Sequence, residues 1–207
     1  MTGILIAFVV AALVPLFVAT WRTSLTGLVV QGALIASLAL RHRDVISFDG
    51  ALALIDLVAL RTVLAPALFY RAMRRRNAPP RNDVLAPNLV SWAMAIALVV
   101  MSFRAADALV PVEGDEQMLV AVSATGFSLG LFVLATSRGT FSQIIGIVRI
   151  ENAIALFELG AGGGHDDSAI RVAMTAILLV SIFFYCWYLD HVRVEGNTSP
   201  VTDSAAL

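Results

Sequence analysis

Ionisable side chains interrupt otherwise apolar stretches of this sequence, and they are the residues that could take part in proton transfer. Glu151 and Glu158 fall in one such stretch, and Asp56 falls in another. A charged side chain in the interior of a membrane is costly unless it is paired or wetted, and such groups are candidates for function by default. A carboxyl group in that setting can take up and release a proton. These acids are therefore predicted to form a proton relay.

Helical spacing sorts the charged residues by face. Glu151 and Glu158 are seven residues apart, so they share one face about 10 Å apart along the axis, a gap that a water or another subunit's side chain must bridge. Asp56 and Arg61 are five apart, or about 140° around an α-helix, which predicts a poor intrahelical ion pair and partners on other helices or chains. Arg149 is about 200° around from Glu151 and is expected to face elsewhere.

Two interpretations of this set stay open. In the first, Glu151 accepts a proton, Glu158 passes it along the same face, and Asp56 joins from its own helix. Arg149 and Arg61 then adjust the charge balance of the acids. In the second, the same residues are interhelical ion pairs and hydrogen-bonding groups that hold a helix bundle together.

The composition decides what kind of structure must position these residues. The chain is 59% hydrophobic and 14% charged, with a mean hydropathy of +0.86, whereas soluble domains are about half apolar and a quarter charged. Lipid must therefore be the solvent, and the predicted fold is an all-α, polytopic membrane helix bundle. Seven spans would use roughly 150 residues, which leaves no room for a separate soluble domain. No basic stripe indicates a nucleic-acid partner.

Breaks between the apolar runs predict about seven transmembrane helices and three regions. The segments Trp21-Arg22-Thr23, Arg71 to Asp83 and Asp107 to Glu116 are three of these breaks. The predicted spans are 3–20, 24–40, 48–70, 85–106, 117–136, 140–160 and 169–189. The regions are an N-terminal four-helix part (1–110), a C-terminal three-helix unit (111–192) and a flexible polar tail (193–207).

Orientation follows from the basic residues, all 14 of which are arginines. Five of them lie between 71 and 83, and arginine concentrates in cytoplasmic loops. This predicts a multi-pass membrane protein with its N-terminus outside and its C-terminus in the cytoplasm. His42, His165 and His191 fall in loops or at span ends, and Cys186 is alone, so no haem, metal or other cofactor is expected in this chain.

The last three spans resemble subunit K of respiratory complex I. The stretch from Arg138 to Ala153, with Glu151 followed by Asn152, looks like the second helix of that subunit. The stretch from Asp166 to Ile177 looks like its third helix. Similar subunits occur in multisubunit Na⁺/H⁺ antiporters.

Over nearly its whole length, the chain is similar to component E of hydrogenase-4-type complexes, relatives of formate hydrogenlyase. The shared features are Arg22 leading to Gln31, and Arg61 followed by Pro66. The family carries a lysine where this chain has Arg61, which favours a fixed charge because arginine does not readily release its proton. The second membrane glutamate of the complex I subunit falls near Met174 in this sequence.

The resemblance implies a non-catalytic membrane-arm subunit of an energy-coupling redox complex, of the [NiFe] hydrogenase or complex I type. Glu151 would be the main membrane glutamate, contributing to proton translocation. Antiporter-like and quinone-proximal subunits would be the neighbours, and a nickel–iron centre and iron–sulfur clusters would lie in a hydrogenase-type peripheral arm. The alternatives are a passive scaffold subunit of that complex, or a subunit of a multisubunit cation/proton antiporter.

Overall fold

The computed structural model describes residues 2–18, 20–42, 48–75, 89–109, 114–137, 139–160 and 168–191. Helices make up almost all of this part of the chain, and no strand occurs in it. The predicted all-α bundle is confirmed. The predicted tail at 193–207 lies outside the described residues.

Within the described ranges, seven helical rods follow one another in chain order, and the third is made of three segments without a break between them. Pro66 and Gly50 fall inside this third rod without interrupting it. The segments are α1 (Thr2–Phe17), α2 (Trp21–His42), α3 (Phe48–Leu54), a π-helix (Ile55–Leu64), α4 (Ala65–Arg75), α5 (Leu89–Leu109), α6 (Asp115–Thr136), α7 (Thr140–Gly160) and α8 (Ser168–His191).

Six of these rods are long and apolar enough to cross a membrane, among the residues described. These are the rods from α2 to α8, and each of them overlaps a predicted span. The first rod, α1, has 16 residues, slightly fewer than a spanning helix ordinarily needs. It ends at Phe17 rather than at 20, two residues after Pro15, which has no backbone N–H to donate.

The start of α2 differs from the sequence prediction for a reason that is local. Trp21, Arg22 and Thr23 were expected to separate two helices, but they form the first turn of α2. The backbone N–H of Thr23 donates to the Thr20 hydroxyl oxygen at 3.2 Å. A threonine just ahead of a helix, bonded to the third helical N–H, is a helix cap. The cap explains why α2 begins at Trp21.

Close approach of α6 and α7 rests on small residues, and Gly126 and Gly130 form a small-xxx-small pattern on α6. A Cβ on Gly130 would lie 2.6 Å from Ile150 Cγ1 and 3.1 Å from the carbonyl oxygen of Gly146. On Gly126 it would lie 3.0 Å from the ring of Phe8 in α1. Glycine is thus required where two helix backbones meet.

Gly130→Ala is expected to destabilise the bundle. The added methyl group must push against backbone atoms of α7, and such overpacking costs about 1–3 kcal/mol. The unfolding midpoint of the full chain in mild detergent should fall by several degrees. Gly3→Ala is the matched control because a Cβ on Gly3 meets nothing within 4 Å. Equal midpoints for the two variants would contradict the tight contact.

Apolar side chains pack in separate clusters toward the two ends of the bundle. One cluster lies toward the start of α2 and includes Leu28, Leu60, Ile145 and Ile182. Another lies toward the end of α2 and includes Ile35, Leu38, Leu57 and Leu156. Helix α8 packs mainly against α3 and α4 and little against α7. Between the two clusters lies the level of Gln31 in α2 and Glu151 in α7.

Candidate functional site in the bundle interior

The third rod changes its helical hydrogen bonding in the middle, where its charged residues are. The Thr62 hydroxyl donates to the carbonyl oxygen of Leu57 at 2.7 Å. The backbone N–H of Ala65 bonds to the carbonyl of Leu60. Both bonds join residues five apart, the spacing of a π-helix, in which positions five apart lie much closer to one face than in an α-helix.

The π-helix pairs two charges that an α-helix would separate. Arg61 Nε donates to Asp56 Oδ2 at 3.0 Å, and the two side chains are only 12% and 15% exposed. The prediction that these residues make a poor intrahelical ion pair was wrong. The prediction used the rotation per residue of an α-helix, whereas this segment is a π-helix. The wider turn of a π-helix brings positions five apart closer to one face.

Arg61 also reaches the neighbouring helix α7. Its Nη1 donates to Asn152 Oδ1 at 3.4 Å, and Asn152 is fully buried. The expectation that Arg61 finds a partner on another helix is met by this second bond. One guanidinium group therefore ties the third rod to α7, one residue along from Glu151.

Glu151 stands beside this pair without being part of it. Its carboxylate is within electrostatic range of Arg61 and Asp56, and of Tyr185 on α8. Its Oε2 atom is buried and has no hydrogen-bond partner among the described residues. The structure therefore brings Glu151 and Asp56 together from different helices. Of the two acids, Asp56 is the one that forms the ion pair with Arg61.

Arg149 faces the opposite side of α7, as its helical position predicted. It is 2% exposed, and its Nη1 donates to the carbonyl oxygen of Ala12 in α1 at 3.3 Å. Its Nη2 lies beside Gly27 of α2, together with the Pro15 ring. This arrangement holds a positive charge against α1 carbonyl oxygens, which are partially negative. Its predicted role in tuning the acids stays a prediction.

Glu158 is not enclosed with the other two predicted relay acids. Its side chain is exposed, two residues before α7 ends at Gly160. The face it shares with Glu151 thus runs from the interior to the surface of the chain. Its role as the next relay member stays a prediction.

Several other residues noted in the sequence are peripheral or lie outside the described part. His191 is exposed at the end of α8, where its ring stacks on Trp187 with centroids 4.5 Å apart. His165 and Arg138 lie outside the described residues, and the side chain of Arg171 is not described. Among the residues described, no three His, Cys, Asp or Glu side chains are grouped so that they could hold a metal ion.

Buried amides complete a polar layer that sequence reasoning did not assemble. Gln31 is 1% exposed, and neither of its amide atoms has a hydrogen-bond partner among the described residues. The Nδ2 atom of Asn152 is buried in the same way. Next to Gln31, a Cβ on Gly32 would lie 2.6 Å from Thr62 Oγ1. In the sequence, the only sign of this layer on α2 was Gln31, a single polar residue within an apolar run.

We call Gln31, Asp56, Arg61, Glu151 and Asn152 the polar layer. Apolar clusters lie on both sides of it along the bundle axis, while α7 and α8 have little contact beside it. Comparisons of the chain with protein-family models, curated proteins and solved structures find no match.

Proposed function

We propose that this chain is a membrane-arm subunit of an energy-coupling redox complex of the [NiFe] hydrogenase type, and that it contributes to proton translocation through Glu151. The resemblance of its sequence to component E of hydrogenase-4-type complexes suggests the assembly. One observation carries the proton role. Glu151 and Asp56 each keep one buried carboxylate oxygen without a hydrogen-bond partner among the described residues, but only Asp56 is paired with an arginine there.

The proposed chemistry is uptake and release of one proton at the Glu151 carboxyl group. In the neutral form this group is tolerated in a low-dielectric interior. In the charged form it is stabilised by Arg61 and opposed by Asp56, both within electrostatic range. A charge change in a neighbouring subunit would shift this balance and move the proton.

The proposed surroundings follow from the same reasoning. Antiporter-like and quinone-proximal-type subunits are the membrane neighbours, and nickel–iron and iron–sulfur centres lie in partner subunits. The exposed arginines at the start of α2 and the end of α4 mark one end of the bundle. By the positive-inside rule, they support the proposal that this end faces the cytoplasm and the N-terminus lies outside. The resemblance to hydrogenase-4-type complexes suggests the inner membrane of a bacterium or archaeon.

A passive scaffold is the second candidate, and one observation favours it. Asp56 is held by Arg61 and Glu158 is exposed, so the chain does not by itself line up successive buried acids. The buried pair would then serve to fix the packing of the third rod against α7. A cation/proton antiporter without redox centres remains the third candidate, and it would use Glu151 in the same way.

The assembly is tested by isolating the complex from native membranes through a tag on this chain. We expect a large subunit with a nickel site and at least one antiporter-like subunit to co-purify, together with hydrogenase activity. An untagged strain carried through the same steps is the control. Antiporter-type subunits without a nickel-containing partner would replace the redox proposal with the antiporter one. Recovery of the chain with neither a nickel-containing subunit nor an antiporter-like subunit would overturn both the redox proposal and the antiporter proposal.

A further inference from the structure

Four exposed arginines meet where two spans end at the same side of the bundle. Helix α2 begins at Trp21 and α4 ends at Arg75, and both rods are long and apolar enough to cross a membrane. We call the four arginines the basic rim. They are Arg22, Arg71, Arg74 and Arg75.

An aromatic contact joins the two helices at this rim. The rings of Trp21 and Tyr70 lie 5.4 Å apart at a tilt of 48°. The guanidinium carbon of Arg22 lies 5.4 Å from the centre of the Trp21 ring. Tryptophan and tyrosine concentrate at the level of lipid headgroups, because one end of each side chain is apolar and the other is polar. The rim is therefore at the depth where a membrane carries its phosphates.

The basic rim has no anionic partner within the part of the chain that the structure describes. The one ion pair found there is Asp56 with Arg61, well inside the bundle. Guanidinium groups bind phosphate oxygens through two parallel hydrogen bonds, which makes arginine well suited to a phosphodiester. Within the described residues, the four positive charges are thus available to bind an anion.

Apolar side chains lie directly below the rim on both helices. On the third rod, Val63 and Ala67 precede Tyr70 and Arg74 at helical spacing, and all four are exposed. On α2, exposed Val29 follows Arg22 two turns into the span. A basic head above an apolar strip matches a ligand with an anionic headgroup and acyl chains. An acidic soluble partner would use the arginines alone.

We propose that the basic rim, together with Trp21 and Tyr70 beside it, is a binding site for an anionic phospholipid. The phosphate binds the arginines of α4, with Arg22 beside it, and an acyl chain lies along the strip below Tyr70. Each basic residue near a membrane surface strengthens binding of an anionic lipid about fivefold. The site does not depend on the redox proposal, because it uses none of the polar layer.

Trp21 provides a local probe for the test. The chain has three tryptophans, so Trp92→Phe with Trp187→Phe leaves Trp21 as the only one. The full chain is placed in phosphatidylcholine vesicles that contain a small fraction of brominated phosphatidylglycerol or, in parallel, brominated phosphatidylcholine. Bromine quenches a tryptophan that it touches. We expect the brominated anionic lipid to quench Trp21 with a relative affinity about fivefold or more above that of the zwitterionic lipid.

Matched variants decide whether the rim is responsible. Arg71→Gln with Arg74→Gln should lower the preference strongly, and Arg74→Gln alone should lower it by a smaller factor. Arg41→Gln with Arg104→Gln removes two exposed arginines elsewhere on the chain and should leave it unchanged. Equal quenching by the two lipids, or loss of the preference in the second pair, would overturn the proposal. Suppression by millimolar inorganic phosphate would show a phosphate site and not a lipid site.

Discussion

Arg61→Leu is expected to cause a large loss of stability in the folded chain. The variant leaves Asp56 at membrane depth without the guanidinium that now bonds its Oδ2 at 3.0 Å. It also removes the bond to Asn152 on α7. Removing one partner of a buried ion pair costs about 3–5 kcal/mol because the other charge stays behind uncompensated. Little of the chain should accumulate in membranes, and the unfolding midpoint of what remains should fall sharply.

The double variant Asp56→Leu with Arg61→Leu distinguishes the loss of the ion pair from the cost of leaving one charge unpaired. Replacing both charges by apolar groups of similar size is often neutral, so the double variant should recover most of the lost stability. Non-additivity in this cycle measures the coupling between the two residues. Arg104→Leu, a change at an exposed arginine of α5, is the control and should change little. A single Arg61→Leu variant as stable as the control would contradict the ion pair.

The rods could be predicted because their signal is bulk composition. A run of apolar residues long enough to span a membrane leaves the backbone no alternative to a helix, since its polar groups find no water. The positions of α6 and α7 follow from this alone, and the Gly126-x-x-x-Gly130 contact follows from residue size. The ends of the helices were harder to predict, because the start of α2 depends on a single cap at Thr20.

The geometry of the site could not be predicted because it depends on a local departure from regular helix. Asp56 and Arg61 fall on different faces of any α-helix, and the sequence carries no distinct mark of the π-helix that aligns them. Likewise, the position of Gln31 at the level of Glu151 depends on which rods are neighbours. That arrangement is tertiary packing, which periodicity along one helix does not contain.

Glu151→Gln is the second change with a large expected effect, and it acts on function more than on stability. Glutamine keeps the size and hydrogen-bonding capacity of the side chain but cannot carry a proton. Because Arg61 is already bonded to Asp56, loss of the Glu151 charge leaves this guanidinium with its counter-charge. The complex should therefore assemble. Proton transport should fall by at least about tenfold, since a positioned acid–base group is worth that much or more.

Glu158→Gln is the matched control for this change. It is the same substitution on the same helix, at an exposed side chain near the end of α7. Transport should be largely kept. A collapse of transport in this variant as well would support the sequence prediction that Glu158 is a member of the relay.

The most direct test is proton transport driven by redox turnover in membrane vesicles, measured for Glu151→Gln beside Glu158→Gln, with the assembled complex quantified in each preparation. We expect full assembly in both variants and a collapse of transport in Glu151→Gln, with redox turnover either slowed or no longer coupled. Intact assembly with unimpaired coupled transport in Glu151→Gln would contradict the relay and leave the chain as a scaffold.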